Sequence, residues 1–395
     1  MKTKILILIV IGLFILPACQ DNFESPDTDS LQPEKAAMVA AGTIVTANMH
    51  SKALEGNLIG DPADRPVYVY LPKSYYTSLD KHFPVIYFLH GMPAWGKMMM
   101  EPVPFEIFRQ VAQLQASVDY PCVELEDWLN DLVDNKGMQE AIIVFPDART
   151  LFGVSSYTNS PVLGKCEDYI CKDLVHFIDS NFRTIDHFNW RAITGHCAGG
   201  YGAMKLAMKH PDIFRYTAGL SPAHFPRETI MYMASFMPVE DDMWEPMGAP
   251  AGPIPYDPMQ PFKFVNNTVY FLMQAWLPNP AKLPYLAELP FTYVNGEPVL
   301  DEELMKKVDE QNLMVLSQKY RQGLKKLKTV YFDCGMSDDL MMYPPNVTLD
   351  QQMSAMNIKH QFEAYEGTHI SNLYQRLEKA LVMLSNDFPE RDDDE

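Results

Sequence analysis

The sequence predicts an α/β protein built on a doubly wound, mostly parallel sheet with a cap region inserted over it. Three observations carry the prediction. Continuous apolar runs, which fit strands buried on both faces, alternate along the chain with segments of helical periodicity. One run, Arg191-Ala192-Ile193-Thr194-Gly195-His196, passes through Cys197-Ala198-Gly199-Gly200 into a helical pattern, which reads as strand, sharp turn and helix. Between Pro222 and Gln322 the alternation stops in a stretch dense in Pro, Met and aromatic residues, too long to be a structureless loop in a compact domain.

Taken in order, the chain opens with Met1-Lys2-Thr3-Lys4, an apolar run from Ile5 to Leu16, and Pro17-Ala18-Cys19. A charged start, a short apolar stretch and a small residue make residues 1–18 an expected export signal, too short to span a bilayer. Leu16-Pro17-Ala18-Cys19 resembles the bacterial lipobox, which implies cleavage before Cys19, lipidation of its thiol and attachment to a membrane of the cell envelope. Residues 19–40 include an aperiodic segment rich in Asp, Glu, Ser and Pro and read as a flexible tether. The folded domain is expected over 41–388, with the cap insertion at about 222–322 and an acidic tail at 389–395.

Within the domain, Gly42 to His50 and Arg65 to Leu71 are β-rich stretches separated by Gly60-Asp61-Pro62, an antiparallel pair at a sheet edge. Pro84 to Gly91 and Ala141 to Pro146 are buried strands, and helical patterning covers Glu106 to Val133. Asp168 to Phe182 is an amphipathic helix, and Tyr216 to Ser221 is the strand after the turn and its helix. After the insertion, Leu327 to Cys334 and His360 to Tyr365 are the last strands and Ser371 to Asn386 the last helix.

With 47% apolar residues in 395, the chain can bury a large core. A formal charge of −19 argues against nucleic acid or anionic headgroups as main partners, since a polyanion needs a basic footprint. Beyond Cys19 the cysteines are Cys122, Cys166, Cys171, Cys197 and Cys334, an odd set that leaves a free thiol unless chains are cross-linked. Cys166 and Cys171 fall on different faces of a helix and are not expected to pair, and the spacings match no metal site.

The turn fits the Gly-x-nucleophile-x-Gly elbow of α/β-hydrolases, with Cys197 at the nucleophile position. Acyl transfer needs a nucleophile, a base, a carboxylate that fixes the base's tautomer, and N–H donors for the oxyanion. In that fold the order is nucleophile, acid, histidine. Here Cys197 is followed by Asp338 and Asp339 in Asp333-Cys334-Gly335-Met336-Ser337-Asp338-Asp339, after one strand. His369 follows in Tyr365-Glu366-Gly367-Thr368-His369, after the next.

Gly195-His196-Cys197-Ala198-Gly199-Gly200-Tyr201-Gly202-Ala203, with Met208-Lys209-His210-Pro211-Asp212, resembles the elbow of the esterase family that contains esterase D, feruloyl esterases and mycolyltransferases. Tyr157-Thr158-Asn159-Ser160-Pro161, Glu167-Asp168-Tyr169-Ile170, Val69-Tyr70-Leu71-Pro72 and Leu89-His90-Gly91 are similar to its other segments. The resemblance implies an α/β-hydrolase that cleaves carboxylic esters without metal or organic cofactor. It makes Cys197 the nucleophile, His369 the base and Asp338 the orienting acid, with Asp339 in reserve. The backbone N–H groups of Ala198 and Met92 become the oxyanion donors. Serine is the family's usual nucleophile; a thiol beside an imidazole at a helix N-terminus ionises readily and is intrinsically nucleophilic. The larger sulfur in a site built for serine, open to oxidation outside the cytoplasm, makes weak or absent activity the alternative. The implied partner is a small-molecule or glycan-linked ester. An acyltransferase or thioesterase on the same fold, or a catalytically silent glycan- or peptide-binding lipoprotein, would carry the same elbow.

Overall fold

A computed structural model of the chain describes residues 41–92, 124–257 and 263–390. The predicted export signal, Cys19 and the tether up to residue 40, together with Cys122 and the first part of the helix expected from Glu106, lie outside them, as does the tail from residue 391.

The eight strands of the main sheet are β1 (Thr43–His50), β2 (Asp64–Leu71), β3 (Val85–Leu89), β4 (Ile142–Pro146), β5 (Arg191–His196), β6 (Tyr216–Leu220), β7 (Thr329–Gly335) and β8 (Gln361–Tyr365). They lie in the order β1-β2-β4-β3-β5-β6-β7-β8. β1 and β2 pair antiparallel, β2 runs antiparallel to β4, and every neighbour from β4 through β3 to β8 is parallel. The predicted edge pair and parallel centre are both present. β3, β4 and β6 are buried at every residue, which explains their unbroken apolar runs, whereas edge strands β1 and β8 are partly exposed.

Helices cover both faces. Leu125–Asn135 and Leu373–Asn386 bury Leu129, Leu132, Leu377, Leu381 and Leu384 on one face, with Trp128 edge-on to Tyr374 at 5.4 Å. Each such side chain, fully removed from water, contributes about 1.5–3 kcal/mol. The other face is covered by the elbow helix Ala198–Lys209 and by a helical stretch that runs Cys166–Asp168, then a π-turn Tyr169–Leu174, then Val175–Asn181. The sequence predicts a regular helix there; the widened turn accompanies Asp173 reaching out to accept from Ser51 Oγ and Ala53 N–H.

Between β6 and β7, residues 222–322 contain the helices Arg227–Trp244, Phe264–Trp276, Glu302–Asp309 and Leu313–Lys319 and the hairpin Phe291–Val294/Glu297–Leu300. The first two helices pack together, and Glu240 of one caps the other by accepting from Val265 N–H (3.0 Å) and Asn266 N–H (2.7 Å). Asn266-Asn267-Thr268, a glycosylation sequon in form, is buried inside this packing. Trp244 and Trp276 are buried as well.

The elbow helix carries one unusual core residue. Lys205 is fully buried, donating to Thr158 Oγ1 at 2.5 Å, and burial pulls its ammonium from 10.5 down to about 7, only partly opposed by Glu167. The unfolded chain therefore holds a proton that the folded chain releases, and stability climbs with pH between about 7 and 10.5. Glu167 keeps Lys209 and His210 as partners without Lys205, and Thr158 Oγ1 still donates to Ser156 O. Lys205→Met is expected to raise unfolding stability at neutral pH by about 1–3 kcal/mol in urea titrations. The gain should shrink as the pH rises; equal or lower stability at neutral pH contradicts this account.

Candidate active site

The site forms where the carboxyl ends of β3, β5, β6, β7 and β8 meet. Cys197 follows β5 directly and has φ 59° and ψ −122°, a conformation costly for a side-chain-bearing residue. Its neighbours hold it there: Cys197 N–H donates to Leu220 O at 2.9 Å, and its carbonyl accepts from Tyr201 N–H and Ala223 N–H at 3.0 Å each. The glycines are required by close approach. A Cβ on Gly199 would lie 1.9 Å from Leu89 O, and one on Gly195 would lie 2.4 Å from the same oxygen. Gly91, at the end of the β3 loop, abuts the turn so closely that a Cβ there would sit 2.8 Å from Cys197 Cβ.

The predicted partners converge on this turn. Asp338, in the loop after β7, accepts from His369 Nδ1 through Oδ2 at 2.7 Å, both side chains being buried. The carboxylate's other oxygen is held by Leu340 N–H (2.9 Å) and Met342 N–H (3.3 Å). Burial works against the Asp338 charge, but the imidazole and these donors outweigh it and hold the carboxyl below its ordinary range. Burial likewise opposes an imidazolium at His369. Asp338, then Cys197, override it and hold the imidazole's proton affinity well above the usual value. With Nδ1 donating to Asp338, Nε2 is the basic nitrogen. It is buried with no hydrogen-bond partner by distance and angle, and the Cys197 side chain is among the groups that raise the imidazole's proton affinity. Catalytic hydrogen bonds are often long or poorly aligned before substrate binds.

Asp339, the reserve acid, takes a different place: its Oδ1 accepts from the His369 backbone N–H at 3.0 Å. Ala198 opens the twelve-residue elbow helix, so its N–H has no carbonyl within the helix to bind. Met92 follows Gly91 at the rim of the turn and is partly buried. Met342 is buried beside Asp338, and Met336 is exposed. Cys166, Cys171, Cys197 and Cys334 are all free thiols. Cys334 lies 3.5 Å from Asp338 Oδ2 as a weak donor, its thiol pushed up by burial and by that carboxylate. Among the described residues no cluster of three or more His, Cys, Asp or Glu is arranged to hold a metal ion.

Three contributors were not legible as site residues. His196, immediately before the nucleophile, lies with its ring 4.7 Å from that of His369. Arg376 forms a buried pair with Asp333, through Nε at 2.9 Å and Nη2 at 2.6 Å. The available signal was a cation on the buried stripe of the last helix, between Leu373 and Leu377.

This architecture, with a strained positive-φ turn at Cys197 after the fifth strand and with Asp338 and His369 meeting from the loops after the seventh and eighth, is that of an α/β-hydrolase. The chain belongs to the family described as "Putative esterase", whose profile matches residues 62–377. Solved structures similar to it include a ferulic acid esterase, at 20% identity, with a TM-score of 0.53 and covering 88% of this chain and 99% of that one. An S-formylglutathione hydrolase from Staphylococcus aureus is 17% identical, with a TM-score of 0.52 and coverage of 87% and 99%. A fluorophosphonate-binding serine hydrolase from the same organism is also 17% identical, with a TM-score of 0.53 and the same coverage. At these identities the likeness is one of fold. No curated protein matches the chain.

Proposed function

We propose that the protein hydrolyses carboxylic esters through a Cys197–His369–Asp338 triad and an acyl-cysteine intermediate. The observation that supports this most is the 2.7 Å bond from His369 Nδ1 to Asp338 Oδ2, which leaves the basic Nε2 for a thiol held on a positive-φ elbow. His369 Nε2 takes the thiol proton as Sγ attacks the ester carbonyl carbon. The oxyanion is met by the N–H of Ala198, aided by the helix dipole, and by that of Met92. The tetrahedral adduct collapses with cleavage of the C–O bond, and His369 returns its proton to the leaving alkoxide. Water then gives a proton to His369 and attacks the thioester; collapse releases the acid, and the thiolate regains a proton. The Asp338 carboxylate stabilises the imidazolium in both halves.

The substrates proposed are acyl groups on glycans or phenolic esters, in keeping with the ferulic acid esterase among the similar structures. The proposed setting is the cell envelope, with the protein anchored through lipid on Cys19. The test is release of acetate or ferulate from acetylated and feruloylated glycans by wild type and by Cys197→Ala. Release by wild type alone supports the reading, and equal release by both, or by neither, overturns it.

A further inference from the structure

We propose that His196 and Arg376 are positioning residues that fix the base His369 by its backbone, a role that rests on the triad reading above. The carbonyl oxygen of His369 accepts from three donors brought by three different elements. These are His196 Nε2 at 3.1 Å from the end of β5, Ser221 Oγ at 3.4 Å from the loop after β6, and Arg376 Nη1 at 3.3 Å from the last helix. One carbonyl needs no more than two donors, so the convergence is more than ordinary satisfaction of a buried group. On the other side of the residue, Asp339 accepts from the His369 N–H.

The clamp is itself braced. Arg376 is bidentate on Asp333, donates from Nη2 to Ser221 Oγ at 2.8 Å and from Nη1 to Ser371 O at 3.2 Å, and lies over the Tyr365 ring. Asp333 Oδ1 also accepts from Ser221 N–H at 2.9 Å. His196 is well placed to act as a neutral donor, because burial, then His369 and Arg376, disfavour its charged form.

His196 adjoins Cys197 in the chain, so its bond to His369 closes a ring in which nucleophile and base are tied through their own backbones. The two linked histidines are 173 residues apart in sequence. That ring sets the spacing of Sγ and Nε2, to which acyl transfer is sharply sensitive. Asp338 fixes the rotation of the imidazole; His196 and Arg376 fix where it stands.

The test reads Cys197 directly and needs no substrate. The rate of Cys197 alkylation by iodoacetamide at about pH 7, assigned by peptide mass, is compared in wild type, His196→Leu and His196→Gln, with thermal midpoints measured in parallel. Leucine removes the donor at similar size, while the glutamine amide can replace Nε2–H. The expected result is a roughly tenfold or greater slowing in His196→Leu and a rate within about twofold of wild type in His196→Gln. Arg376→Lys keeps a charge for Asp333 but loses the bond to the His369 carbonyl; it should slow alkylation in the same direction and serves if His196→Leu does not fold. Wild-type alkylation in His196→Leu or Arg376→Lys, or equal slowing in His196→Leu and His196→Gln, overturns the proposal. The triad reading fails separately, through ester turnover that survives Cys197→Ala.

Discussion

Cys197→Ala is expected to lower kcat/KM for an activated ester such as p-nitrophenyl acetate by at least about 1000-fold, leaving only what the oxyanion donors and binding supply. The size of the loss follows from the role: without Sγ no acyl-enzyme forms, and water must attack the ester unaided. The fold should be unaffected. The side chain of residue 197 is small and 7% exposed, its φ of 59° is stabilised by backbone bonds to Leu220, Tyr201 and Ala223, and alanine keeps all three. Circular dichroism and the thermal midpoint should therefore match wild type while turnover in a stopped assay disappears.

Asp338→Asn carries the second large effect, a fall in kcat of about 100- to 10,000-fold with little change in KM. The amide retains the shape of the carboxylate but can present an N–H where Oδ2 now accepts from His369 Nδ1, favouring the wrong tautomer. The sign of the pH effect also follows. Asp338 is the foremost of the groups raising the proton affinity of His369, so its loss lowers that affinity and moves the acid limb of kcat/KM to lower pH as the rate at the plateau falls. An acid limb that stays in place would mean that another carboxylate orients the base. Asp339, engaged with the backbone N–H of His369, would be examined first.

Much of this site was legible in the sequence because its determinants are local. The elbow glycines are needed wherever a strand, a turn and a helix meet at such close range, and Gly199 and Gly195 meet Leu89 O at distances no side chain tolerates. Strands such as β3 and β4 are read easily because burial on both faces makes every residue apolar. Asp338 and His369 are singled out by position, each in the loop after a strand, and the structure brings their side chains together. What stayed hidden is long-range or masked by local exceptions. Helix Arg227–Trp244 contains Pro238, which reads as a breaker, and helix Tyr343–Ala355 carries Pro344 and Pro345, tolerated because they fall in its first turn. The brace on His369 joins β5, β6, β7 and the last helix, and no local pattern encodes it. Lys205 is similar: only the fold reveals that this lysine sits in the core.

The central claim, that Cys197 is acylated during turnover, is tested most directly by mass spectrometry of the protein quenched during reaction with p-nitrophenyl acetate. The account predicts one acetyl group on the peptide carrying Cys197, present in wild type, accumulating when deacylation is slow, and absent in Cys197→Ala. Ester turnover with no adduct on Cys197, or an adduct on another residue that persists in Cys197→Ala, would contradict it.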